Sequence, residues 1–485
     1  MSKELKQETI TGMLWSFIER FGSVMLQFIA NIVLARLLTP NDFGLIGMIM
    51  VFIAISNTIV DSGFSAALIQ KREVTQEDYS TIFFVNIILA ILLFCLLFVT
   101  APLISNFYRQ AELTNMLRIL GFVLILNAFN IIQNTQLIRE VDFKKIAKIN
   151  VIATFIACVL SIILAFKGFG VWSLVVQILA ISFFKSLFLW IWNKWRPTFI
   201  ISMNSLKNLF GFGSKLLFSA LLDTVYINLQ SLVIGKVFSA RDLGLYAQAS
   251  KMGEVPVNTL SGVVTQVTFP VFARLQDDYV KMKRGVKQSM KSLAYLNFPI
   301  MVLLIIIAKP LFLVLFTDKW NDAVPYFRLL CIPGMILTLQ VTNLNILKAA
   351  GRSDIFFYLE IVKKSIGVIS IIIGIQFGIL GMLYAMVITS YICLGLNAYF
   401  SGKVIQYGIW EQFKDVISTY ILSIIIGLIS YFFVSNLSLY YITSMVLMII
   451  VYIVLYLGTS RLLQFESLEM YISILNERVF KIKNK

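Results

Sequence analysis

Histidine is missing from all 485 residues of the chain. Without imidazole there is no His zinc ligand, no Ser-His triad and no His proton relay. Charge is scarce as well: 14% of residues are Asp, Glu, Lys or Arg, against about 25% in a soluble globular domain. Cysteine occurs four times, at Cys95, Cys158, Cys331 and Cys393, each inside an apolar run and with no CxxC spacing. These read as packing residues rather than disulfides or metal ligands. The Walker pattern, GxxxxGK followed by Ser or Thr, does not occur, and no polar stretch is long enough for a nucleotide-binding domain, so ATP hydrolysis is not expected. Acids are the scarcer sign: 25 face 41 Lys and Arg, a net charge of +16. That balance favours anionic partners, either membrane lipids or a negatively charged substrate, and neither a cofactor nor a nucleic acid is expected.

What is abundant is apolar sequence. Hydrophobic residues make up 59% of the chain and mean hydropathy is +0.86, which describes an integral membrane protein. A crossing needs only about 20 apolar residues. Suitable segments lie near 12–37, 43–68, 81–107, 116–138, 149–167 and 169–192, then 208–236, 243–270, 290–316, 325–347, 354–376, 379–400, 416–436 and 439–460. The expected fold is therefore all-α, with about fourteen spans. MSKELKQETI shows no cleavable signal pattern, so the first apolar helix is expected to stay as a signal-anchor. With this count, 26 basic residues fall at one set of span ends and nine at the other; the positive-inside bias then predicts both termini in the cytoplasm. The polar stretch from Arg274, RLQDDYVKMKRGVKQSMK, is expected to be a headgroup-facing connector. Phe465, Leu468, Ile472, Leu475, Val479 and Ile482 recur at helical spacing and predict an amphipathic helix on the inner surface.

The chain repeats itself. IVLARLLTPNDFGL at 32–45 aligns without gaps on LVIGKVFSARDLGL at 232–245, an offset of 200 that matches Val33, Asp42, Gly44 and Leu45 with Val233, Asp242, Gly244 and Leu245. LRIL at 117–120 resembles FRLL at 327–330, and Gly168 echoes Gly378. Six spans per copy is an even number, so both copies enter the membrane in one direction and substrate is expected between them. The domains expected are residues 1–200 and 201–405 as two six-helix lobes, 406–462 as two further spans, and 463–485 as a cytoplasmic tail.

Polar residues line one face of several spans. In the first these are Ser16, Glu19, Arg20, Ser23, Gln27 and Asn31; in the seventh, Lys215, Ser219, Asp223, Tyr226 and Gln230. Glu19 and Ser219, and Ser23 and Asp223, are equivalent at the offset of 200. Span eight adds Gln248, Lys251, Glu254 and Asn258, with a kink expected at Pro256; span two adds Asn57 and Asp61; span eleven adds Glu360, Lys363 and Lys364. A charge at the bilayer centre costs at least about 2.5–3.5 kcal/mol, so it faces a wet cavity or a partner. Lys185, Lys215, Lys363 and Lys364 sit near inner ends, where they can snorkel.

ANIVLARLLTPNDFGL from Ala30, QLIREVDFKKIA from Gln136, GFGVWSLVVQ from Gly168 and FPVFARLQDD from Phe269, in this order within fourteen spans, resemble the polysaccharide-transporter branch of the multidrug/oligosaccharidyl-lipid/polysaccharide flippase superfamily. These are the Wzx-type O-antigen and teichuronic-acid exporters. The resemblance implies a flippase rather than an enzyme. It would carry an undecaprenyl-diphosphate-linked glycan outward and hand it to polysaccharide polymerase and assembly proteins. On that reading Arg20, Lys251 and Lys215 are expected to meet the diphosphate, with Gln27, Asn31, Tyr226, Gln248 and Asn258 lining the path. Glu19, Asp223, Glu254 and Asp61 are the candidates for ion coupling. A multidrug antiporter of the same superfamily and a polytopic glycan polymerase or ligase are the alternatives; the short outer loops speak against the polymerase or ligase.

Overall fold

A computed structural model describes residues 3–276, 278–437 and 439–473. Contacts within the chain gather into two compact units, Met1–Ala247 and Gln248–Lys485, and each has its own order. The first holds α1 (Lys3–Leu37), α2 (Pro40–Asp61), α3 (Phe64–Gln70), α4 (Gln76–Tyr108), α5 (Leu113–Leu120), α6 (Phe122–Arg139), α7 (Phe143–Phe166), α8 (Trp172–Trp192), α9 (Met203–Val237) and the start of α10 (Ala240–Arg274). The second holds the rest of α10, then α11 (Tyr279–Phe316), a 3₁₀ turn (Asp318–Ala323), α12 (Val324–Ala349), α13 (Ser353–Ile375), α14 (Gly378–Ile405), α15 (Ile409–Ser435) and α16 (Tyr441–Leu462).

Twelve helices among the described residues are long and apolar enough to cross a membrane. The two expected spans outside that set are α10 and α13. Both are long helices; α13 carries Glu360, Lys363 and Lys364 in its first half, and α10 is the more polar, with Gln248, Lys251, Glu254 and Asn258 among its apolar residues. Helix α10 continues through Pro256.

Two expected spans are each built from two helices. The second breaks where Ser62 and Gly63 adopt φ of 51° and 68°, a conformation that favours glycine at Gly63. A Cβ on Gly63 would lie 2.5 Å from the Gly213 carbonyl oxygen of α9, so the break seats the chain against the seventh span. Arg139, from the QLIRE stretch, then closes the end of α3. Its guanidinium donates to the carbonyls of Leu68 and Lys71, the latter at 2.7 Å, groups that a helix end leaves without partners. The fourth span divides at Gly121.

The repeated motif has a physical explanation. Thr39 opens α2 with a capping box in which the Asp42 carboxylate accepts from the Thr39 amide at 2.8 Å. Ser239 and Asp242 make the same pairing at the start of α10, with the Ser239 hydroxyl donating to Asp242 at 2.6 Å. Leu45 and Leu245 are both buried. The shared Asp caps a helix and the shared Leu fills a core. Gly168 and Gly378 repeat as well, at φ of 81° and 76°, the first in the turn between α7 and α8 and the second opening α14.

The stretch after Arg274 is not a separate connector. Helix α11 starts at Tyr279, capped by Asp278, and runs on into its span. Its lysines are paired: Lys283 with Glu411 at 2.7 Å, Lys287 with Asp415 at 3.0 Å, and Lys291 with Glu466 at 2.8 Å. Acids on α15 and beyond α16 neutralise the ladder, so these lysines are not left for headgroups. Beyond α16, the Gln288 amide and the Ser292 hydroxyl donate to the Met470 sulfur, and the Tyr471 hydroxyl donates to the Ser292 carbonyl at 3.2 Å. The expected surface helix thus docks on α11 as far as it is described; Leu475, Val479 and Ile482 lie outside the described residues.

Candidate functional site

In the first unit, Glu19 and Arg20 part company. Neighbours on a helix point about 100° apart. Glu19 turns towards α7, half-buried, and its carboxylate accepts from the Asn150 side-chain amide at 2.6 Å. Lys185 of α8, also half-buried, is within electrostatic reach of Glu19. Arg20 is exposed and makes no ion pair among the described residues. Further along α1, Gln27 is half-buried and Asn31 is buried.

Helix α9 carries the second stripe, and the first unit leaves most of it uncovered. Lys215, Ser219 and Asp223 are exposed, and Tyr226 is half-buried. The helix is held to α2 through a 3.0 Å hydrogen bond between the Thr58 and Thr224 hydroxyls. Tyr246 donates to Gln230 at 2.9 Å. Asp61, at the end of α2, accepts from the Ser65 hydroxyl and is half-buried. Asn127 donates to Asn57 at 3.0 Å, joining α6 to α2, so that part of the polar set serves packing.

In the second unit Gln248 is buried, whereas Lys251 and Glu254 are exposed. The Glu254 carboxylate accepts from Ser250 at 2.7 Å, one turn earlier on α10. The Asn258 side chain lies outside the described residues.

The contact of Asn150 with Glu19, and Lys185 within electrostatic reach of that carboxylate, were not legible in the sequence. Lys185 has the position of a snorkelling lysine, and only the packing of α7 against α1 and α8 turns it inward. The second unit holds a related cluster: Lys363 pairs with Glu360 one turn away on α13, their side chains 12% and 29% exposed. Glu360 follows Asn150 by 210 residues, the separation of Gly168 and Gly378, and each is the eighth residue of its helix. The one signal available was this offset. In the second cluster an ammonium pairs with a carboxylate, and in the first the carboxylate is held by an amide with an ammonium within electrostatic reach, arrangements able to exchange one partner for an anion or a proton. Among the described residues no group of acids and cysteines could hold a metal ion.

Comparison with known proteins follows the same lines. The chain is 26% identical to the teichuronic acid biosynthesis protein TuaB of Bacillus subtilis (strain 168), over 88% of this chain and 89% of that one. It is 27% identical to the lipopolysaccharide biosynthesis protein WzxC of Escherichia coli (strain K12), over the same shares. Among solved structures, the lipid II flippase MurJ in an inward closed conformation superposes with a TM-score of 0.71 at 15% identity, covering 93% of this chain and 99% of that one. An inward-facing multidrug resistance MATE family transporter of the MOP superfamily superposes at 0.62 and 17%, covering 79% and 94%. The fold is that of these transporters. Residues 33–325 match the polysaccharide biosynthesis protein family, and with that match spanning more than half of its length, this multi-pass membrane protein belongs to that family.

Proposed function

We propose that the chain moves an oligosaccharide linked to undecaprenyl diphosphate from the inner to the outer leaflet of a bacterial cytoplasmic membrane. Both termini are then cytoplasmic, the route is alternating access between two six-helix lobes, and the chain works as a transporter rather than an enzyme. One observation carries this reading: Arg20 and Lys215 sit on helices long and apolar enough to cross a membrane, yet stand exposed within their unit. Ionic groups at membrane depth do not face hydrocarbon; they line water or meet a charged ligand. A diphosphate with a hydrated sugar chain needs such a lining, while its prenyl tail can remain in lipid.

In this mechanism Arg20 and Lys251 hold the diphosphate by charge-assisted hydrogen bonds, and Lys215 receives it first. Gln27, Asn31, Tyr226, Gln248 and Asn258 meet sugar hydroxyls. Glu19 and Asp223 couple the cycle to an ion gradient, with Glu254 and Asp61 as further carboxylates on the route. A proton or cation on Glu19 releases Lys185, and the freed ammonium then favours the anionic substrate. The glycan passes to polymerase and assembly proteins outside. The names of relatives support this direction: besides those above, the chain is 25% identical to the succinoglycan biosynthesis transport protein ExoT of Rhizobium meliloti (strain 1021).

The test is a strain lacking the gene. Lipid-linked repeat units accumulating on the inner leaflet are the expected result. A normal outward flux of repeat units, with altered resistance to small cationic drugs, would move the assignment to the multidrug reading.

A further inference from the structure

The side of the first unit carries an apolar groove lined by none of the residues assigned above to the substrate or to ion coupling. It lies between α6 and α8, encloses about 290 Å³, and is lined by Leu126, Phe129, Phe183, Ser186, Leu187 and Trp190. Ser186 supplies its one hydroxyl. The Trp190 indole N–H donates to the Phe129 carbonyl at 3.2 Å, so its polar atom is satisfied and its ring is left as an apolar wall. Phe83 and Phe129 hold that ring, with centroids 5.8 and 5.9 Å away. The wall is therefore preformed rather than assembled on binding.

A cation stands on this wall. The Arg196 guanidinium carbon lies 5.3 Å from the Trp190 ring centroid. Arg196 is held in place where α8 ends, donating to the carbonyls of Trp190, Asn193 and Trp195 at 2.7 to 2.8 Å. Carbonyls orient the guanidinium without cancelling its charge. Lys194 is exposed beside it in sequence, and among the described residues neither Arg196 nor Lys194 pairs with an acid. An apolar slot set in a membrane-spanning layer, topped by the uncompensated Arg196 guanidinium and with the exposed Lys194 two residues before it in the chain, matches an amphiphile with an acyl chain and a phosphate.

We propose that this groove seats one anionic phospholipid of the leaflet where α8 ends, with an acyl chain against Phe183, Leu187 and Trp190 and its phosphate on Arg196 and Lys194. Apolar contact alone does not distinguish lipids. The two cations do, since each basic residue at a membrane surface favours an anionic lipid by about fivefold. The site stands apart from the diphosphate path and does not depend on the flippase reading.

Tryptophan quenching by brominated lipids tests it. The full-length protein is placed in phosphatidylcholine nanodiscs carrying increasing fractions of dibrominated phosphatidylglycerol or dibrominated phosphatidylcholine, and the Trp190 component is isolated by difference with Trp190→Phe. The expected result is quenching by the brominated phosphatidylglycerol at a mole fraction at least about fivefold lower. The preference should vanish in Lys194→Gln/Arg196→Gln and persist in Arg196→Lys, which keeps the charge but loses the three-carbonyl grip. Ser186→Phe, filling the slot, should reduce quenching of Trp190 by both lipids. Equal quenching by the two lipids in the unaltered protein would overturn the proposal, as would a preference that survives loss of both cations. Relief of quenching by a polyprenyl phosphate, with none by unbrominated phosphatidylglycerol, would also overturn it and assign the groove to the substrate's own tail.

Discussion

Gly44 and Gly244 meet across a crossing of two helix starts with reciprocal contacts. A Cβ on Gly44 would lie 1.6 Å from the Ala240 carbonyl oxygen, and a Cβ on Gly244 would lie 1.7 Å from the Pro40 carbonyl oxygen. Pro40 and Ala240 are themselves 200 residues apart, so the repeated motif packs against its own copy. Backbone stands against backbone there, and no rotamer change can make room. Gly44→Ala or Gly244→Ala should therefore cost at least about 1–3 kcal/mol through overpacking. Gly168→Ala, with nothing within 4 Å but φ of 81°, should cost only the left-handed penalty of about 1–2 kcal/mol. Thermal unfolding in detergent checks the order, and it fails if Gly168→Ala is the more damaging change.

Arg20→Ala and Lys251→Ala should each lower export between about tenfold and a hundredfold, the range for losing one hydrogen bond to a charged group. Protein levels should stay normal in Arg20→Ala, whose side chain is exposed and makes no ion pair among the described residues. Arg139→Ala offers the contrast: it uncaps α3 and should lower the amount of protein instead. Export assays paired with immunoblots decide between the two patterns.

Glu19→Gln should remove stimulation of flipping by an imposed proton or sodium gradient in proteoliposomes. Lys185→Met should reduce protein levels by taking from a half-buried carboxylate the positive charge within its electrostatic reach. The double variant should regain levels, with a coupling of about 0.5–3 kcal/mol in a double-mutant cycle, but not gradient dependence. Full gradient stimulation in Glu19→Gln would place coupling elsewhere.

Acidification should loosen the segment beyond α16. The hydrogen bond and charge of Lys291 hold Glu466 below the usual carboxylate range. Its contribution is complete above the unfolded value of about 4.3 and disappears as pH falls through the lowered one. Proteolysis between Phe465 and Ser473 should thus increase only below that range, and Glu466→Gln should raise cleavage at neutral pH to the acid level.

Cysteine labelling at positions 321 and 485 should report opposite sides of the membrane. Finding both on one side would break the count of spans.

Much of this was open to reading from composition and spacing alone. Apolar length located the helices, and the offset of 200 singled out Asp42, Gly44 and Leu45 before their capping, crossing and packing roles were visible. Sequence adjacency was a poorer guide at Glu19, where Arg20 looks like the natural partner. Helical geometry sends the two side chains in different directions, and the hydrogen-bond partner comes from α7 and the nearby cation from α8, more than 100 residues away. The break at Ser62 and Gly63 carries no proline to announce it; close approach to Gly213 is what identifies it. Lysines near span ends are equally ambiguous, since snorkelling and pairing need the same flexible stem.

The placement of α9 bears on how the chain is made. By sequence repeat it opens the second copy, yet its contacts along α2, from Thr224 down to Gly213, belong to the unit Met1–Ala247. A growing chain released from the ribosome after six spans would lack the partner that covers α2 and the Ser62–Gly63 break. Biogenesis of the first half must then wait for the seventh span, and a split-gene version should assemble better when cut between α9 and α10, after Phe238, than when cut near residue 200.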